Sequence, residues 1–307
     1  MLVHDRCIHL MISMGLLLSA CATERAGTHL PTMAQAPYRF DQHRSIQILP
    51  SSTAAILDVT YYQRNVEYLL EGTKRAILID SGPGKHKIAP VVSSLTSLPV
   101  TVVPSHLHYD HVGGLNEFAT IALPDAEDLR ERTVNGVFTP LPTENLGHLD
   151  GEPLSPIHVT QWLQDNEQID LGQRVVEILV TPGHTKTSVM IFDPGMPALF
   201  TGDFIYPGGL FVESLEDYQR SLAMLLAHMP KEVTIYPAHN TNARTAPTLN
   251  YQDLVDLHKA VSQALLGTLI GTPSKAFGIP AIYYPVNERM HIFHMGRNLS
   301  GIDHKFG

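Results

Sequence analysis

From Tyr38 onward the chain is a series of short apolar runs separated by Gly, Pro, Asn, Asp and Ser. SIQILP (45–50), AAILDVTYY (54–62), VEYLLEG (66–72) and RAILID (75–80) read as strands, because β-branched and aromatic residues are bounded on both sides by turn residues. Val100 to Val103 and TIALP at 120–124 read the same way, with a helix under the sheet over 87–98 and another over DAEDLRERTV at 125–134. Further strand-like runs lie within 179–193, 198–206 and 233–240, and IPAIYYPV (279–286) and MHIFHM (290–295) predict closing strands. Residues 215–229 and 251–269 instead carry apolar side chains at helical spacing and predict two amphipathic helices. One stretch breaks the pattern. Residues 135–160 hold prolines at 140, 142, 153 and 156 with no clear period, which predicts a long loop, and loops of that length in compact domains are often functional. His148 and His158 within it read as solvent-facing.

The candidate chemistry sits where these runs end. SHLHYDHVGG at 105–114 places His106, His108, Asp110 and His111 within six positions. Alternate side chains of an extended segment share a face, so His106, His108 and Asp110 can point one way. A turn at Val112-Gly113-Gly114 into a following helix would then swing His111 towards the same space. Three single candidates follow, His184 in TPGHT, Asp203 in TGDF and His239 in PAHN, each just past a strand-like run with Pro or Gly beside it. Loop ends of that kind can aim side chains at a common centre. Imidazole and carboxylate are the ligands zinc accepts, and seven of them suffice for two ions. The only cysteines are Cys7 and Cys21, so the folded domain offers no thiolate ligand and no disulfide.

The order H-x-H-x-D-H, lone His, lone Asp, last His resembles the metallo-β-lactamase superfamily over about residues 40–240. The resemblance implies an α/β fold, an αββα sandwich of two packed mixed sheets flanked by helices, spanning 38–307. It also implies ligand roles: His106, His108 and His184 on a first zinc, Asp110, His111 and His239 on a second, and Asp203 bridging. Asp80, at the end of RAILID, resembles the strand-end aspartate that holds the ligand loop by hydrogen bonds. In this family the variable insertion after the main His motif often shapes the substrate pocket, which assigns that role to 135–160. Two such ions, about 3.5–4 Å apart, supply a water-derived nucleophile at neutral pH and polarise a carbonyl. Asp110 would orient that water and pass its proton to the leaving group.

The substrate is less legible. Branches that act on β-lactams usually lack the bridging carboxylate that Asp203 supplies, and glyoxalase II branches continue into basic residues where this chain has the acidic PGGLFVESLED. Lactonase branches carry a tyrosine three residues after the bridging aspartate, where Tyr206 stands, so Tyr206 reads either as a donor to a substrate carbonyl or as rim packing. The expected function is hydrolysis of an ester-like carbonyl in a small molecule, such as a lactone or thioester. A non-haem iron oxidoreductase of the same fold, a β-lactamase and a metal-carrying lipoprotein are the alternatives. The formal net charge of −9 argues against nucleic acid as a partner. At the N-terminus, apolar residues 8–18 are too short to span a bilayer, and Leu18-Ser19-Ala20-Cys21 resembles a bacterial lipobox. This predicts a signal peptide over 1–21, a lipid on Cys21 as the membrane attachment, a flexible tether over 22–37 and a place in the cell envelope. Ordinary secretion after Ala22, or a start at Met11 or Met14, would fit the same residues.

Overall fold

Strands buried on both faces need apolar residues at nearly every position, and central strands of the two large sheets, such as Thr53–Asp58, Val66–Glu71, Val189–Asp193 and Ala198–Gly202, are built that way. The computed structural model describes residues 35–240 and 244–295. The first sheet contains, in spatial order, Tyr38–Arg39, Arg44–Leu49, Thr53–Asp58, Val66–Glu71, Ala76–Ile79 and Val100–Val103. Its neighbours are antiparallel except the last pair, where the helix Ala89–Leu95 carries the chain across and makes the pairing parallel. The second sheet runs Gln168–Asp170, Val175–Val180, Val189–Asp193, Ala198–Gly202, Thr234–Pro237 and Leu249–Asn250. It is parallel only between Ala198–Gly202 and Thr234–Pro237, where the helix Leu215–His228 intervenes.

The period of two then sorts each strand between two cores. In Val66–Glu71, Tyr68 and Leu70 pack with Ile178, Phe200 and Tyr236 of the second sheet, and the Tyr68 and Phe200 rings lie 5.1 Å apart. Leu69, one residue out of phase, packs outward with Val91 and Val92 of the helix Ala89–Leu95. On the far face of the second sheet, Leu179, Met190 and Leu199 meet Leu222 and Leu225 of Leu215–His228 and Leu254 and Leu257 of Tyr251–Leu265. The layers are helix, sheet, sheet, helix: the αββα sandwich.

Both long helices are capped locally. Ser214 accepts from the Asp217 amide at 3.2 Å, and Asn250 accepts from the Gln252 amide at 2.9 Å. The second helix ends at Leu265, short of 269, and Gly267 follows at φ +70°, a conformation that leaves the helix.

Other boundaries also differ from expectation. The helix expected over 125–134 is only Glu127–Glu131, because Thr133–Val134 pairs with Val137–Phe138 across Asn135 (φ +51°) and Gly136 (φ +77°). Asn-Gly at two positive φ angles is a favoured hairpin turn. The 135–160 stretch is therefore folded: that hairpin gains Ile157–His158 as a third strand, and the helix Pro142–Asn145 and the 3-10 turn Gly147–Asp150 fill the interval. The strand expected over 54–62 stops at Asp58, leaving 59–65 as a crossing loop. Gly208–Val212 forms a strand paired parallel with Met290–His294, in a separate four-stranded sheet with Ile279–Pro285 and Thr272–Ala276. Of the expected tether, Gln35 already donates its amide to the Ile48 carbonyl at 2.9 Å. The leader, Cys21 and residues 22–34 lie outside the described residues.

Candidate metal centre

The first candidate ligand loop is held by hydrogen bonds of its own. Ala76–Ile79 ends in Asp80 at φ +62°, and its carboxylate accepts from the Ser105 amide at 2.6 Å, the Ser105 hydroxyl at 2.9 Å and His111 Nδ1 at 2.9 Å. One aspartate thus ties both ends of the ligand loop, the role the resemblance implied. The strand ends at Val103, and His108, itself in the extended region, occupies the N-cap position of the short helix Tyr109–Val112. Asp110 and His111 therefore reach the centre from a helical turn, not by strand alternation. That helix is pressed on the Gly82–Gly84 loop: a Cβ on Gly113 would lie 2.3 Å from the Pro83 carbonyl carbon.

All seven sequence candidates come together, and all are buried or nearly so. His106, His108, His184 and Asp203 form one group and Asp110, His111 and His239 another, with ligand atoms within 4.8 Å of one another in each. Asp203 faces both groups, with Oδ1 3.3 Å from His111 Nε2 and Oδ2 3.0 Å from His239 Nε2 and 4.0 Å from His184 Nε2. The other ring nitrogens are anchored: His184 Nδ1 donates to the Phe211 carbonyl at 2.7 Å and His239 Nδ1 to the Gln63 carbonyl at 3.0 Å. A carbonyl can only accept, so both imidazoles carry a proton on Nδ1; His184 Nε2 is left without a hydrogen-bond partner, whereas His239 Nε2 faces Asp203. Four buried atoms of the set, His108 Nε2, His111 Nε2, His184 Nε2 and Asp203 Oδ1, have no hydrogen-bond partner. Buried polar atoms are almost always paired; His111 Nε2 and Asp203 Oδ1 face each other, and the orphaned Nε2 atoms of His108 and His184 beside them fit a bound cation.

The electrostatics agree. Burial, reinforced by neighbouring imidazoles, lowers His106 and takes His108 down to about 3, so both are neutral bases at pH 7. Burial pushes the Asp110 and Asp203 carboxyls upward, but the charges of His111 and His239 pull both, on balance, well below the usual carboxylate range. Neutral imidazole and ionised carboxylate are the ligand forms; His111 and His239, which burial lowers but the charges of Asp110 and Asp203 raise on balance, would release a proton on taking up a cation.

Two supports were not visible in the sequence. Asn65 donates from Nδ2 to the Asp110 carbonyl at 2.9 Å and to its Oδ2 at 3.0 Å, and forms a bridge with His239. Asn145, inside the 135–160 stretch, donates to the Leu107 carbonyl at 3.2 Å. Neither stands in a recognisable motif, since each acts on a segment 38 or more residues away.

A cavity of about 920 Å³ opens over the centre, with His108, Asp110, His184, Asp203 and His239 in its lining. His148 is exposed on its rim, and His158 is exposed outside it. Tyr206 lines the cavity with its ring 5.3 Å from that of His239, but its hydroxyl donates to the Gly209 carbonyl, so the donor expected for a substrate is already engaged.

Stacked mixed sheets with a histidine and aspartate centre at one set of strand ends define the class as the metallo-hydrolase type. The chain belongs to the metallo-beta-lactamase superfamily, whose family model matches residues 65–239, more than half of its length. It is 26% identical to the acyl-coenzyme A thioesterase MBLAC2 of Gallus gallus, over 56% of this chain and 71% of that protein. The Homo sapiens protein of the same name is 28% identical over 47% of this chain and 59% of its own. A hydroxyacylglutathione hydrolase of Aeromonas hydrophila is 27% identical over 60% and 64%. The chain thus spans between 59% and 71% of these relatives. A solved archaeal superfamily member from Sulfolobus tokodaii is 21% identical with a TM-score of 0.49, covering 71% of this chain and 87% of that one.

Proposed function

We propose that this chain is a binuclear, zinc-dependent hydrolase of ester-like carbonyls in small molecules. His106, His108 and His184 would hold one ion, Asp110, His111 and His239 the other, with Asp203 between them. The observation that carries the reading is the convergence of these buried histidines and aspartates on one centre, where His108 Nε2 and His184 Nε2 have no hydrogen-bond partner. Relatives named as an acyl-coenzyme A thioesterase and a hydroxyacylglutathione hydrolase support hydrolysis at an acyl carbon. When bound, the ions supply Lewis acidity to the carbonyl and make water acidic enough to attack at neutral pH. Asp110, held at Oδ2 by Asn65 and facing the cavity, accepts the proton of the attacking water and returns it to the leaving group. Asp80 and Ser105 keep the histidines in register throughout, and no side-chain nucleophile is needed.

Full-length protein purified without chelator and offered zinc should carry two equivalents of metal. It should hydrolyse at least one member of a lactone, thioester and ester panel, and lose that activity to chelation with recovery on zinc. Less than one equivalent sinks the reading. Oxygen uptake in place of hydrolysis would indicate an iron oxidoreductase, and turnover confined to β-lactams a lactamase.

We also propose that the chain is a cell-envelope lipoprotein attached through Cys21. In a bacterial host, Cys21→Ser should abolish lipid labelling and leader processing. A wild-type protein that fractionates as an unlipidated soluble species refutes this.

A further inference from the structure

The hairpin joining Thr272–Ala276 to Ile279–Pro285 turns at Phe277-Gly278, closed by the pair Ala276 and Ile279. Both central residues have positive φ, +48° and +80°. Asn-Gly suits such a turn, whereas a bulky side chain in the left-handed region is disfavoured. Phe277 is also 61% exposed, so neither the backbone nor the core explains a phenylalanine there. A strained, exposed aromatic calls for a role outside folding.

Its surroundings indicate which. Phe277 lines the cavity over the metal centre and lies 5.0 Å from Phe211, which stacks in turn on Phe293 at 5.8 Å. Leu146, Leu149 and Tyr62 line the same cavity from the first sheet's side. Among the described lining residues there is no lysine or arginine, and the carboxylates present are Asp110 and Asp203. Lys85, near the turn that carries Leu149, is ion-paired with Glu152 and lies 3.9 Å from Asp150. Phosphate or carboxylate groups on a leaving group bind best to such side chains, and the described lining offers none.

We propose that the cavity selects acyl substrates with a medium or long apolar chain on a leaving group that bears no anionic charge, and that Phe277 clamps that chain against Phe211 and Phe293. This rests on the hydrolase reading above. It assigns the hairpin tip a specificity role and separates this chain's substrate from the coenzyme A and glutathione carriers in its relatives' names.

The test uses the full-length zinc-loaded protein with p-nitrophenyl acetate, butyrate, octanoate and decanoate, alongside octanoyl-coenzyme A and S-octanoylglutathione. Along the ester series kcat/KM should rise about fourfold for each methylene that becomes buried. The octanoyl ester should exceed both anionic carriers by at least about tenfold, the factor given by one charge-assisted contact. Phe277→Asn should reduce the octanoate-to-acetate ratio of kcat/KM roughly tenfold, the scale of a partly buried aromatic contact. Its melting temperature should hold or rise, since asparagine tolerates the turn better. A second readout needs no turnover: calorimetric binding of 2-decanone, which should weaken in Phe277→Asn, with coenzyme A alone as the comparison. Metal-dependent hydrolysis with no chain-length dependence, or a preference for either anionic carrier, overturns the clamp and leaves the hydrolase reading standing. So does a Phe277→Asn that melts lower and loses all esters in proportion. Binding of 2-decanone that depends on Phe277, with no ester hydrolysed, overturns the hydrolase reading instead.

Discussion

Asp110 illustrates how much one side chain owes to its neighbours. It is buried yet ionised because the cationic character of His111 and His239 outweighs the burial, and Asn65 fixes which oxygen is turned inward. Asp110→Asn keeps an oxygen ligand but removes the base. We expect kcat to fall about 10²–10⁴-fold, the usual worth of general acid–base help, with metal content unchanged by elemental analysis. Near-normal turnover with metal retained would remove Asp110 from the mechanism. Tyr206 contrasts with it. Its hydroxyl closes the loop onto the Gly209 carbonyl, so Tyr206→Phe should lower stability by about 1 kcal/mol and slow turnover only a few-fold. A fall in kcat beyond tenfold at unchanged stability would show that the hydroxyl leaves Gly209 and serves the substrate.

At the level of elements, the metal centre depends on backbone approaching backbone. The helix Tyr109–Val112 carries two of the proposed ligands but has a single turn, too short to be stable alone. It is held by the Gly113 amide donating to the Gly82 carbonyl at 2.9 Å and by the absence of a side chain at Gly113. Gly113→Ala would drive a methyl into Pro83 and displace Asp110 and His111 together. The expected result is loss of one metal equivalent and destabilisation of about 1–3 kcal/mol, the range for overpacking. An alanine variant with two bound metals and wild-type melting would show that the loop yields more easily than its packing indicates.

Across the whole molecule, the first sheet buries a charged cluster that the metal centre does not use. Glu67 is fully buried under the Gly82 loop, both carboxylate oxygens lack a hydrogen-bond partner, and Arg44 beside it is ion-paired with Asp58. Burial pushes the Glu67 carboxyl up to about 7 from its ordinary 4.5; Arg44 opposes that rise, while Asp58 and Asp80 add to it. The folded value is the higher one, so this contribution is fully present below about pH 4.5 and is lost as pH climbs through about 7. The loss is on the order of 3 kcal/mol. Urea midpoints of wild type and Glu67→Gln should therefore diverge in favour of glutamine from pH 5 to pH 8, and a pH-independent difference would count against a neutral Glu67.

The candidate ligand set was legible in the chain because its chemistry is local. His106 to His111 are neighbours in sequence, and His184, Asp203 and His239 each follow an apolar run beside Pro or Gly, so residue type and strand end announce them. The long helices were legible because a 3.6-residue period survives in any context. Short elements were not: Asn135-Gly136 sits in a proline-rich stretch, and its two-residue strands are too brief to show a period. Geometry needed the tertiary structure. His239 takes its tautomer from Gln63, 176 residues away in sequence, and Asp110 its orientation from Asn65, 45 residues away. The cavity wall at Phe277 joins segments far apart in sequence, since Met290–His294 pairs with both Gly208–Val212 and Ile279–Pro285 of the Phe277 hairpin. Apolar pattern and residue chemistry determined that a metal-binding αββα sandwich forms. Which atoms face the centre, and what surface a substrate meets, follow from contacts between distant segments, which no local pattern encodes.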